Sequence, residues 1–231
     1  MIEKLPGIFK IDKLRALHIF ESDVNAIFGI LWGKHLMEHS EKNHQISAAQ
    51  HGSRKGRGTD TILLTKHMTY ALWRMTTTNG VTFDNDAKAC YDRIVMNLAY
   101  LASQQLGMPS NICLWYQKFL NSANYHIQLP NYTSEQSYRH NNTHPLHGPG
   151  QGSRAAPSIW VIISSIIMQC MAKKSNGLKF QDPTTQYGYT HIMTGFVDDT
   201  THWINRFEEA LGGHYSLENM YSDTQATAQW W

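Results

Sequence analysis

Two adjacent aspartates, Asp198 and Asp199, stand in the stretch Gly195-Phe196-Val197-Asp198-Asp199-Thr200-Thr201-His202-Trp203. Apolar residues and β-formers flank them, which predicts two strands joined by a tight turn with the carboxylates at the turn. Like charges held side by side repel, and a divalent cation is the common way to neutralise them. Further carboxylates stand in Phe83-Asp84-Asn85-Asp86-Ala87-Lys88-Ala89-Cys90-Tyr91-Asp92, where a predicted strand gives way to a helix. A strand-end carboxylate and a hairpin pair can hold two Mg²⁺ ions about 4 Å apart, an arrangement that stabilises the attacking and leaving oxygens of a phosphoryl transfer. Mg²⁺ suits such a set, because it prefers hard oxygen ligands and keeps part of its water. Between these segments lies Gly148-Pro149-Gly150-Gln151-Gly152. It lacks the Gly-Lys-Ser/Thr of a P-loop, but its glycines allow a ligand to approach the backbone closely.

The elements that must position these residues follow from periodicity and punctuation. Residues 22–39 read as a helix with Val24, Ile27, Phe28, Leu31 and Met37 on one face and Ser22 as its cap. The basic loop Gln50-His51-Gly52-Ser53-Arg54-Lys55-Gly56-Arg57-Gly58 precedes a helix from about Thr59, with Ile62, Leu63, Met68, Leu72 and Met75 on one face. Gly80–Phe83 reads as a strand. A helix runs from Tyr91 to Leu106, ended by Gly107 and Pro109, and another covers 110–122. Residues 125–150 read as irregular apart from a short strand at 126–129. A buried helix at 155–173, the Asp-Asp hairpin and a helix at 216–231 complete the chain. Helices mixed with hairpin-connected strands predict an α+β fold.

Composition narrows the class. The 231 residues are 42% hydrophobic, enough for one domain with a real core. No signal pattern opens the chain, and the apolar run at 159–171 is too short to span a bilayer, so no membrane role is expected. Three scattered cysteines, Cys90, Cys113 and Cys170, fit neither a disulfide framework nor a zinc knuckle, which places the chain in a reducing, intracellular compartment. His140, His144 and His147 are suitably spaced for a metal but lie in a Pro/Gly/Asn-rich loop without cysteine, and no zinc site is expected there. Residues 1–80 carry 11 Lys/Arg against 7 Asp/Glu, whereas residues 81–231 carry 9 against 11. A basic first part and an acidic second part suit a protein that grips a polyanion with one and metal with the other. Arg54, Lys55 and Arg57 form a basic loop able to track a nucleic-acid backbone.

The order of these segments closely resembles reverse transcriptases of non-LTR retroelements. Asp86 through Tyr91 resembles that family's motif A, in which a metal-binding Asp stands five residues before an aromatic. Counting back from Tyr91 selects Asp86 over Asp84 and Asp92. Gln151-Gly152-Ser153-Arg154-Ala155-Ala156-Pro157 resembles motif B, and Phe196-Val197-Asp198-Asp199 resembles motif C. The resemblance covers nearly the whole chain. It implies a right-hand polymerase fold, with 1–80 as a fingers-like segment and 81–231 as palm. It implies an RNA-directed DNA polymerase that uses two Mg²⁺ or Mn²⁺ ions, an RNA template, a DNA primer and deoxynucleoside triphosphates. Asp86, Asp198 and Asp199 would be the catalytic metal ligands. Tyr91 would exclude the 2′-hydroxyl of a ribonucleotide. Gln151, Gly152 and Arg15, the last more firmly than Lys4, would contact the nucleotide. Family members continue past motif C with a lysine-bearing segment, a primer-gripping hairpin and a thumb, so a chain stopping at Trp231 is expected to be a C-terminally truncated fingers–palm piece. Two rival readings share the fold: a catalytically inactive retroelement relic that at most binds nucleic acid, and an RNA-dependent RNA polymerase, which Tyr91 disfavours.

Overall fold

A computed structural model describes residues 2–3, 14–15, 17–76, 80–129, 131–141, 143, 147–175, 177–182 and 184–205. In chain order the elements are strands β1 (Ile2–Glu3) and β2 (Leu14–Arg15), then helix α1 (Ser22–Phe28), a π-helical stretch (Gly29–Leu36) and α2 (Met37–Lys42). They continue with α3 (Thr59–Thr76), β3 (Gly80–Asp86), a 3₁₀ turn (Cys90–Arg93), α4 (Met96–Gln105), α5 (Ser110–Ser122), β4 (Asn124–Leu129) and β5 (Tyr132–Arg139). The last are α6 (Ala156–Ala172), β6 (Leu178–Gln181), β7 (Gly188–His191), β8 (Met193–Phe196) and β9 (Asp199–Asn205). Every ladder between these strands is antiparallel, in keeping with the α+β expectation. The expected helix at 216–231, Lys4 and His144 lie outside the described residues.

The chain divides into two compact units, each built from two stretches: Met1–Gln45 with Ala89–Ile162, and Ile46–Lys88 with Ile163–Trp231. Helix α6 runs from one unit into the other.

The first unit is organised around aromatic rings. Because i→i+5 bonding widens the turn in the π-helical stretch, residues four apart share a face there. Phe28, Trp32 and Leu36 are buried along it, whereas Ile27 is exposed. Phe28 meets Tyr116 edge-on at 4.3 Å, and Trp32 meets the same ring at 4.8 Å. The Trp32 indole N–H donates to Ser103 Oγ (3.2 Å), which donates to Ala99 O (2.8 Å), so the buried polar atoms are satisfied. Glu21, not Ser22, caps α1: its carboxylate accepts from the N–H groups of Asp23 and Val24, both at 3.0 Å.

Two further departures from the sequence reading occur in this unit. The expected 91–106 helix begins only at Met96. Ile94 and Val95 are extended, and Ile94 O is taken by Gly148 N (2.9 Å) instead of continuing a helix. Residues 125–150 are not all irregular, since β4 pairs with β5 through a bulge between His126 and Gln128. Ser134 Oγ accepts from Ile127 N (2.9 Å) at that bulge.

The second unit is a three-stranded sheet in the order β3–β9–β8, with a separate β6–β7 hairpin. Met168, Met171 and Met193 form one buried cluster, and Leu178, Phe180 and Trp203 form another against Trp73. Helix α3 does not bury the face that its periodicity suggests. Ile62 and Thr69 are buried while Leu63, Met68, Leu72 and Met75 are exposed. Thr69 tolerates burial because its hydroxyl donates to Thr65 O (2.8 Å) and also lies 3.2 Å from His191 Nδ1. Among the described residues no helix is long and apolar enough to cross a membrane.

Candidate functional site

The carboxylates sit at one end of the β3–β9–β8 sheet. Residues Gly80–Asp86 pair with Asp199–Asn205 in continuous register, which sets Asp86 directly opposite Asp199 and Asp84 opposite Thr201. Directly opposed residues of an antiparallel pair share a face, so Asp84, Asp86, Asp199 and Thr201 line one surface. Asp198 lies in the two-residue turn between β8 and β9, and its carbonyl accepts from Ala87 N (3.1 Å), tying the end of β3 to the turn. Asp86 and Asp199 are exposed and Asp198 is half-buried.

Partners distinguish the acidic residues on β3. Lys66 Nζ lies 3.5 Å from Asp84 Oδ1, and Thr201 Oγ1 donates to the same carboxylate. Asp86 and Asp199 have no ion-pair or side-chain hydrogen-bond partner among the described residues. Two unneutralised carboxylates directly across a ladder cost stability unless a cation joins them. Their donor chemistry fits Mg²⁺, which needs only one or two carboxylates when water and phosphate oxygens complete its shell. The described side chains form no group of three or more metal-ligating residues. The fit therefore rests on the facing pair, with Asp198 beside it in the turn.

Tyr91, Gln151, Gly152 and Arg15 belong to the first unit. Tyr91 is half-buried in the 3₁₀ turn. A Cβ added to Gly148 would meet Tyr91 O at 1.7 Å, and added to Gly150 would meet His18 Nδ1 at 2.1 Å. Gln151 O accepts from His18 N (2.6 Å). Gly148 thus admits the Tyr91 backbone and Gly150 the His18 ring. Gly148 also has φ of +71°. Gly148→Ala is expected to lower stability by about 2 kcal/mol or more, from strain and the carbonyl clash together. A urea midpoint within error of wild type would refute it. Arg15 is placed by its backbone alone, opposite Ile2.

The basic loop belongs to the second unit. Arg54 is turned inward and buried, and its guanidinium donates to Ser47 O and Gln50 O, both at 2.7 Å. Its charge is spent holding the loop and not displayed on the surface. Arg57 Nη1 donates to Ala48 O (3.0 Å) but remains half-buried, and Lys55 is exposed.

Sequence reasoning missed Gln50. It is wholly buried, and its carboxamide bonds both polar backbone groups of Val197. No periodicity marks it. The one available signal was a glutamine beginning a Gly-rich basic loop. Two buried histidines of this unit, His191 and His202, were also unremarked. Burial pushes both down to about 4, against the opposing influence of Met193 backbone on His191 and of Asp84 on His202.

No protein-family model and no curated protein matches the chain. Among solved structures it is similar to the apo telomerase from Candida tropicalis truncated from its C-terminal domain, with 13% identity, a TM-score of 0.47, and coverage of 82% of this chain and 35% of that one. It is also similar to the telomerase from Candida albicans in complex with the TWJ fragment of telomeric RNA, with 12% identity, a TM-score of 0.44, and coverage of 85% and 32%. The chain thus spans about a third of the length of each.

Proposed function

We propose that the chain is the fingers–palm part of a reverse transcriptase of the non-LTR retroelement type, with the right-hand polymerase fold. In this reading it is an RNA-directed DNA polymerase that joins deoxynucleotides to a DNA primer opposite an RNA template. The observation that carries the reading is the register that sets Asp86 opposite Asp199, beside the turn bearing Asp198. The ordered motifs select the same three residues. Asp86, Asp198 and Asp199 hold the metal. Two Mg²⁺ ions, or Mn²⁺, when bound supply positive charge at the attacking and leaving oxygens. Tyr91 excludes a ribose 2′-hydroxyl, Gln151 and Gly152 flank the nucleotide and template base, and Arg15 contacts the triphosphate. Lys55 and Arg57 track the template backbone on a loop that Arg54 braces from within.

Primer extension on poly(rA)/oligo(dT) with Mg²⁺ tests this. The wild-type chain is expected to extend the primer and Asp198→Ala to lose about a hundredfold or more of that rate. Equal signal from both chains would sink the enzymatic reading. RNA binding without extension by either would favour a retroelement relic that keeps the fold.

A further inference from the structure

The turn that presents Asp198 and Asp199 is held from outside its own hairpin. Val197, its first central residue, has φ of 56°. A β-branched residue adopts that conformation only where its surroundings impose it. Here they are centred on Gln50, whose four amide hydrogen-bonding positions are all filled. Its Oε1 accepts from Val197 N (3.1 Å) and Gly52 N (3.0 Å), and its Nε2 donates to Val197 O (3.1 Å) and Ser164 Oγ (2.9 Å). One amide side chain therefore satisfies both backbone groups of the strained residue, as a neighbouring strand would. Gln50 is itself anchored to β8 by its neighbours: His51 N donates to Gly195 O and Gly195 N to Ala49 O, both at 2.8 Å. A Cβ added to Gly52 would lie 2.3 Å from Val197 N, so the loop packs directly against the turn.

We infer that Gln50 is a positioning residue: by clamping Val197 in the left-handed region, it presents Asp198 and Asp199 beside Asp86. The metal-binding half of this inference rests on the function proposed above, and the clamp itself does not. Gln50→Met in the whole chain keeps the length and apolar fill of the side chain and removes all four amide hydrogen bonds. With Mn²⁺ as the probe, it is expected to weaken binding about tenfold or more, read as lost paramagnetic broadening of the Asp198 and Asp199 amide signals. Hydrogen exchange at the Val197 amide is expected to quicken about tenfold or more. Thr69→Val, which removes a buried hydroxyl of the same unit, controls for general loosening and is expected to leave both readouts within about twofold.

Wild-type values of both readouts in Gln50→Met overturn the inference, and so does a Thr69→Val chain that reproduces both changes. A wild-type chain that binds no Mn²⁺ removes the proposed function, and Val197 exchange alone then decides the clamp. If Gln50→Met does not fold, Ser164→Ala removes one of the four partners. It is expected to speed Val197 exchange about threefold, and no change there would overturn the clamp.

Discussion

Asp86→Asn should abolish primer extension while raising the stability of the chain. The two effects have one cause. Asp86 faces Asp199 across the ladder, and neither carboxylate has a cationic partner among the described residues. An isosteric amide removes the repulsion, worth about 0.5 kcal/mol for like charges directly opposed on a sheet. It also removes an anionic ligand from ions asked to supply several kcal/mol of charge stabilisation, so a loss of about 10³-fold or more in extension rate is expected. Asp84→Asn, two residues away, should behave in the opposite way. Asp84 is engaged by Lys66 and Thr201, so its loss lowers stability slightly and leaves the facing pair intact. Extension assays paired with urea denaturation read both quantities. An Asp86→Asn chain that extends primers at the wild-type rate, or that is less stable than wild type, would refute the assignment of Asp86.

The second large effect is acid unfolding of the unit that carries the carboxylates. His191 and His202 are both buried, and both are held neutral with folded-state values of about 4 against 6.5 for the free side chain. His191 sits against Thr194 Oγ1 (2.7 Å), within reach of Thr69 and Tyr189, and His51 further disfavours its charged form. His202 stacks on Phe83 at 4.7 Å, and the Asp84 charge only partly offsets its burial. For a depressed histidine the unfolded chain binds the proton first. The stabilisation is therefore complete above about pH 6.5 and is lost as pH falls from there through about 4. Each tenfold weakening of proton affinity on folding is worth about 1.4 kcal/mol, so each histidine can withdraw about 3 kcal/mol across that window. Together they approach the whole stability of an ordinary domain, about 5–15 kcal/mol. Urea midpoints measured between pH 7 and 4.5 should fall steeply, and His202→Leu should remove about half of the slope. A flat profile, or one unchanged by His202→Leu, would show that these histidines do not set the acid limit.

What could be read from sequence was what local chemistry determines. The turn at Val197-Asp198 was legible because β-formers bracket it, and the start of α5 because Gly107 and Pro109 close the helix before it. Asp86 was separable from Asp84 only through the resemblance to motif A, and no local signal showed that Lys66 engages Asp84. The unread parts depend on partners that hydrophobic periodicity does not reveal. Strand β5 is polar on both faces and mostly exposed, so no alternation betrayed it. The π-helical stretch shifted the buried face of its segment toward Trp32 and Leu36. Arg54 looked like a surface cation because nothing local shows that Ser47 and Gln50 carbonyls await it. Gln50 meets Val197 across 147 residues of chain, where no window of sequence could connect them.

The interleaving of the two units also dictates an order of synthesis. Residues 1–45 emerge before α5, so their aromatic residues Phe28 and Trp32 have no Tyr116 to pack against until the ribosome has delivered that helix. Strand β3 waits longer still, for residues 199–205. Until those partners are made, the nascent chain carries unfinished cores with apolar surface exposed. Contacts of such long sequence separation slow folding and invite aggregation. Chaperone demand during expression is thus written into the connectivity of this chain, independently of how stable the finished protein is.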